Sequence, residues 1–210
     1  MNIAYIAVVL GVVLVSMTLH EAMHGYAAYW LGDDTAKTGG RLTLNPLAHI
    51  DPFLTLILPL MLAVMGLPVF GGAKPVPFNP NRVRFGEVGA AIVGLAGPLT
   101  NFVIAFLLFA VYVFAGQPAD TTLPGLVLIT GVLVNLGFFL FNILPIPPLD
   151  GSRLLYALAP EWVRRGMEWV EHYGVTLVFI LVVLGSSLIG RYMSIAMDFI
   201  IQAFGRLFGI

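Results

Sequence analysis

The chain has 210 residues, of which 59% are hydrophobic and 10% charged, with a net charge of −1, whereas soluble domains carry about 25% charged residues. Together with a mean hydropathy of +0.96, this excludes an ordinary soluble domain, and the lack of any Lys/Arg block excludes a basic surface for nucleic acid. Cysteine is absent, so disulfides, thiolate nucleophiles and thiolate ligands are excluded, and any metal must be held by imidazole nitrogen and carboxylate oxygen.

Apolar runs cover residues 3–30, 53–70, 88–115, 123–144 and 175–190, followed by a tail from 191 to 210. A helix needs about 20 such residues to cross 30 Å of hydrocarbon. The first run follows only Met1 and Asn2, lacks the basic n-region of a signal peptide and outruns its length, so it reads as a retained helix. In the tail, Arg191, Asp198, Gln202 and Arg206 share one helical face, which suits either an interfacial amphipathic helix or a last span packed on its neighbours. Residues 31–52, 71–87 and 149–174 read as turn-rich connections. The whole chain, 1–210, is expected to form a single integral-membrane domain: an all-α polytopic protein of about five to six membrane segments.

Orientation follows from the basic residues, which concentrate in short cytoplasmic loops. If residues 53–70 crossed fully, the basic residues would be split between the two faces. If that run dips in and returns, Lys37, Arg41, Lys74, Arg82, Arg84, Arg153, Arg164 and Arg165 all fall on one face, with Asp120 in the opposite short loop. Pro59 within the run, and Gly66 and Pro68 near its end, favour the re-entrant form. The N-terminus is then outside.

The end of the first run contains His20-Glu21-Ala22-Met23-His24. In a helix the two histidines project from one face a turn apart, as two ligands of one metal require, with Glu21 beside them for general-base duty. Such groups are costly in lipid unless something satisfies them. The third ligand is expected at Asp150, in the stretch from Asn142 to Gly151 that reads NILPIPPLDG. For the three to meet, the first helix and the helix from Leu123 must run parallel, which again requires the re-entrant form. The metal site is therefore expected between the first helix and the helix ending at Asp150.

HEAMH, GPLTN at residues 97–101 and NILPIPPLDG together resemble the site-2 protease family of intramembrane metalloproteases, in particular its small bacterial forms, over nearly the whole chain. The resemblance implies one Zn2+ per chain held by His20, His24 and Asp150, and Glu21 as the catalytic base. It also implies that Asn142 stabilises an oxyanion or positions substrate. It implies further a multi-pass protein of the cell membrane with its active site toward the cytosol, acting on transmembrane protein substrates among membrane lipid, with any gating partner unidentified. The chain leaves no room for the PDZ or CBS modules of larger members, so substrate selection is expected in the membrane domain or in a partner. A membrane metal transporter and a catalytically silent relative that only binds membrane segments are the alternatives. Against transport, the ionisable groups gather at one depth rather than lining a path.

Weaker signals complete the reading. His49 reads as a loop histidine outside the ligand set, with an auxiliary or proton-shuttling role as the alternative. Gly86, Ala90, Gly94 and Gly97 form a small-residue stripe suited to close helix packing. Asn101 is expected to bond across helices near the site. Residues 71–80 could offer an extended edge to an unwound substrate, a plain loop being the alternative.

Overall fold

The computed structural model describes residues 3–65 and 71–210, and every regular element among them is helical. Helix α1 (Ile3–Trp30) is followed by the short α2 (Thr35–Thr38), a 3-10 turn at Pro46–His49 and a π-helical turn at Pro52–Ile57 that leads into α3 (Leu58–Val64). Then come α4 (Gly86–Phe114), α5 (Leu123–Asn142), α6 (Ser152–Leu158), α7 (Glu161–His172), α8 (Gly174–Leu184) and α9 (Ser186–Phe208). Among the described residues three helices are long and apolar enough to cross a membrane, α1, α4 and α5, or four if the pair α7 and α8, bent by 86°, counts as one span.

Side-chain pairings fix the directions of these three helices. Ser16 of α1 meets Asn101 of α4 while His24 meets Val93, so α4 runs antiparallel to α1. Ser16 also meets Asn135 of α5, and His20 meets Asp150 beyond its end, so α5 runs parallel to α1. Helix α4 therefore begins on the face where α1 ends, and the chain between them returns to the face it left. Locally, Gly72 N–H donates to Leu54 O at 3.0 Å and Thr55 Oγ1 to Gly72 O at 2.7 Å, bringing the two ends of the intervening segment together. This is the re-entrant parity expected for residues 53–70; Gly66 and Pro68 lie outside the described residues.

Two connections differ from expectation. The stretch 149–174 is largely helical, as α6 and α7: Pro160 caps α7 in extended conformation and Glu161 pairs with Arg165 one turn on, start signals hidden by the Gly and Pro content of the region. The run 175–190 is not one span, because α8 stops at Gly185 and α9 starts at Ser186. Glycine lacks the side-chain contacts that hold a helix together at such a point. Helix α9 packs Met197, Phe204 and Phe208 onto α4 and α5, where Phe204 joins Ala105, Phe109, Val132 and Leu136 in one core. Its polar residues Arg191, Asp198, Gln202 and Arg206 stay exposed on the other side. The tail thus takes the form of a helix packed on its neighbours.

The connection after α1 is tied to residues 79–84. Buried Asp33 accepts hydrogen bonds from Thr35 N–H, Thr35 Oγ1 and Asn79 N–H. Arg84 N–H donates to Leu31 O at 2.8 Å, and Arg82 pairs with Asp34 at 2.8 Å. Burial disfavours the Asp33 carboxylate, but these donors and Arg82 outweigh it and hold the group below its ordinary range.

Candidate metal centre

One side of α1 carries Ser16, His20 and His24, all buried. Facing it on antiparallel α4 is a stripe of equal period, Val93, Gly97 and Asn101, so residues four apart on both helices come into register. His24 Nδ1 lies 2.7 Å from Val93 O, and His20 Nδ1 lies 2.6 Å from Asn101 Oδ1. A carbonyl oxygen can only accept, so in the neutral rings both Nδ1 atoms carry the hydrogen and both Nε2 atoms present lone pairs.

Those lone pairs converge. The two Nε2 atoms are 3.0 Å apart, and Asp150 Oδ2 lies 3.0 Å from that of His20 and 3.4 Å from that of His24. Among the described residues this is the group of His, Asp and Glu side chains arranged to hold a metal, with ligand atoms all within 4.8 Å of one another. Acceptor atoms at such distances repel unless a cation lies among them. Gly97 faces the same point: a Cβ there would run into Nε2 of both histidines. Two imidazole nitrogens and one carboxylate oxygen, with a fourth direction open, form the donor set of a catalytic zinc site, so the residues fit that ion.

Asp150 reaches the histidines from a turn rather than from a helix end. Helix α5 stops at Asn142, and Gly151 N–H donates to Asn142 O at 2.7 Å, folding residues 143–150 back across its end. Gly94 allows this, since its missing Cβ leaves space for Asp150 O and Arg153. The small-residue stripe on α4 therefore does more than pack helices: Gly94 admits the aspartate turn and Gly97 clears the centre.

Glu21, next to His20, accepts a hydrogen bond at Oε2 from Val76 N–H at 3.0 Å. It borders a cavity of about 620 Å3 together with His20, Asp150, Asn142, residues 71–73 and apolar side chains of α8 and α9. Asn142 lines the cavity and donates from Nδ2 to Phe138 O at 3.0 Å. His49 is fully buried away from this group, with Nε2 2.9 Å from Thr43 O. Asn101 bonds across helices as expected, and its partner is His20 itself. Asn135, buried behind Asn101, was not singled out by pattern; the available signal was an amide in an apolar helix seven residues before Asn142, on the same helical face.

Proteins similar to this chain are known. Residues 116–185 match the model of peptidase family M50. YwhC of Bacillus subtilis, provisionally named a zinc metalloprotease, is 38% identical over 203 residues, which cover 93% of this chain and 90% of YwhC. Rip2 of Mycolicibacterium smegmatis, named in the same provisional way, is 35% identical over 172 residues, covering 81% of this chain and 64% of Rip2. Zinc metalloprotease MJ0392 of Methanocaldococcus jannaschii is 27% identical over 187 residues, 88% of this chain and 44% of that protein. No solved structure matches the chain. With long apolar helices, a zinc-type donor set and a relative matched over nearly its full length, the chain belongs to peptidase family M50, the site-2 protease family, and is a zinc-dependent membrane metalloprotease.

Proposed function

We propose that the enzyme cuts transmembrane protein substrates within or near the bilayer, on the cytosolic side of the cell membrane, with His20, His24 and Asp150 as ligands of one zinc ion and Glu21 as general base. The observation that carries this reading is the convergence of the two histidine Nε2 atoms and Asp150 Oδ2 at the wall of a cavity that also receives Glu21.

Zinc bound there supplies Lewis acidity, acidifying a water and polarising the scissile carbonyl. Glu21 takes a proton from the attacking water on its carboxylate, with Oε2 steadied by Val76 N–H, and returns it to the leaving amide nitrogen. Asn142 keeps one amide hydrogen on Phe138 O and has its second for the oxyanion. His20 and His24 are held by Asn101 and Val93, so they need not reorient during the reaction.

Residues 71–76 supply the place for the substrate backbone. Gly72 bonds to Leu54 and Thr55, Lys74 N–H donates to His49 O, Arg41 Nη2 donates to Lys74 O at 2.8 Å, and Val76 N–H goes to Glu21. Gly72, Lys74 and Val76 are thus tied to the protein, while Ala73 between them lines the cavity. An unwound substrate segment can pair there as an added strand. A helical substrate conceals its scissile bond, so segments weakened by Gly, Pro or Asn are cut best. The cytosolic placement is supported by the basic residues from Lys37 to Arg165, which the re-entrant parity gathers on the face where α1 ends.

The test is cleavage of a single-span model substrate by purified, detergent-solubilised enzyme, comparing wild type, Glu21→Gln and chelated protein with zinc restored. Loss in both treatments with recovery on zinc supports the reading. Metal binding with no cutting over a broad panel of spans, or cutting of soluble peptides alone, contradicts it.

A further inference from the structure

Behind His20 lies a chain of buried amides that reaches a second helix. Asn101, with no exposed surface, accepts from His20 at Oδ1 and donates from Nδ2 to Asn135 Oδ1 at 2.8 Å and, at 3.4 Å, to Ser16 O. Asn135, 1% exposed, donates from Nδ2 to Gly131 O and to Ser16 Oγ, both at 2.8 Å.

The direction of every bond in this chain is forced from its far end. The carbonyl of Gly131 cannot donate, so the NH2 of Asn135 must face it, and the Asn135 oxygen must face Asn101. That oxygen in turn requires the NH2 of Asn101, leaving the Asn101 oxygen for His20. Facing an oxygen that only accepts, His20 must carry its hydrogen on Nδ1, and Nε2 is left with its lone pair toward Asp150 and His24. If the Asn101 amide were reversed, its NH2 would meet Nδ1 and favour the other tautomer, with a hydrogen on Nε2 where a ligand lone pair is needed.

We propose that Asn135 is a positioning residue for the metal centre: anchored on the α5 backbone at Gly131, it sets the orientation of the Asn101 amide and, through it, the His20 tautomer that can bind zinc. This rests on His20 being a ligand, as proposed above. The device joins α1, α4 and α5, so the packing of all three helices holds Nδ1 as the donor and Nε2 as the atom facing Asp150 and His24. Outer partners of metal-binding histidines typically account for about 10- to 100-fold in affinity.

The relay makes a specific demand on a pair of substitutions. In Asn135→Leu the Asn101 amide loses its 2.8 Å acceptor and is oriented only by the 3.4 Å bond to Ser16 O, so His20 populates both tautomers and zinc affinity falls by up to about tenfold. In Asn101→Asp both side-chain oxygens accept, so His20 keeps its hydrogen on Nδ1 whatever stands at 135. Adding Asn135→Leu to Asn101→Asp therefore leaves tautomer and affinity unchanged. The experiment is 15N NMR of histidine-labelled, metal-free protein in detergent in an Asp150→Ala background, where no carboxylate draws a hydrogen onto Nε2, with His20 assigned by its loss in His20→Ala, alongside zinc titration of the proteins that keep Asp150 against a competing chelator.

Tautomer mixing in Asn135→Leu that disappears in the Asn101→Asp background is the expected result; a residue that only packed helices would not produce it. An unchanged His20 tautomer in folded Asn135→Leu, or an equal change in both backgrounds, overturns the relay. Asn135→Ala carries the same demand should the leucine variant not fold. Failure of the ligand reading is seen separately, as undiminished zinc affinity in His20→Ala.

Discussion

The cavity has two unlike walls. One wall carries His20, Glu21, Asn142 and Asp150, and behind it α1, α4 and α5 hold buried polar groups in fixed pairings: His24 on Val93, His20 on Asn101, Asn101 on Asn135 and Asn135 on Gly131. On the other, the 52–64 arm and α8 present apolar side chains such as Leu54, Leu58, Val178 and Val182. Residues 71–76 run between them and are held through backbone groups. The difference separates two requirements of the reaction. Groups that bind metal and move protons must hold their geometry, and buried, fully paired polar networks do this. A surface that admits a substrate must yield, and apolar contacts without directional bonds can slide.

Substitutions on the fixed wall should act on chemistry and metal. The largest loss is expected in Glu21→Gln, with cleavage reduced by roughly a hundred- to ten-thousandfold and zinc content unchanged. Next comes Gly97→Ala, whose methyl group would meet Nε2 of both histidines. Zinc affinity should fall at least as much as on loss of an outer partner, about 10- to 100-fold, and cleavage with it; tight zinc binding by this variant would show that the two nitrogens need not share a centre.

Substitutions on the connecting segment should act on substrate alone. Arg41→Ala removes the donor to Lys74 O and Pro75 O, freeing the residues next to Val76. Steady-state kinetics should show kcat/KM lowered about tenfold, chiefly through KM, with zinc stoichiometry intact. A loss of zinc in this variant would break the proposed division between the walls.

The smallest effect concerns the tie that holds this segment's far end. Asp33→Asn weakens charge-assisted bonds to Thr35 and Asn79 and should cost about 1–2 kcal/mol of stability at neutral pH without altering kcat. Since the folded protein holds the Asp33 carboxyl below its unfolded value of about 3.9, this contribution is complete above that value. It is lost as pH falls through the lower folded value. Thermal unfolding in detergent should therefore differ between wild type and variant at pH 7 and converge in acid.

What could be read from sequence divides along similar lines. The apolar runs forecast α1, α4 and α5 to within two residues at each end, because long uncharged stretches in lipid leave the backbone no choice but helix. The parity that brings α1 and α5 parallel was legible in the basic residues and in the need of Asp150 to reach His20. The i, i+4 histidines with the adjacent glutamate could be read directly. Three things could not be. The acceptor for His24 is the backbone carbonyl of Val93, which no side chain announces. Gly97 reads as a packing residue until the histidine ring atoms beside it are known. Helices α6 and α7 lie in a stretch whose Pro160 and three glycines argue for turns, and Gly185 interrupts a run that hydropathy alone would continue.

The most direct test of the central claim is X-ray absorption at the zinc edge on purified, zinc-loaded Glu21→Gln protein, with Asp150→Asn as the comparison. The account predicts a shell of two imidazole nitrogens plus oxygen, with zinc affinity and the oxygen shell altered in Asp150→Asn. A shell of three imidazoles, or one indifferent to Asp150, would contradict the assignment of the centre to His20, His24 and Asp150.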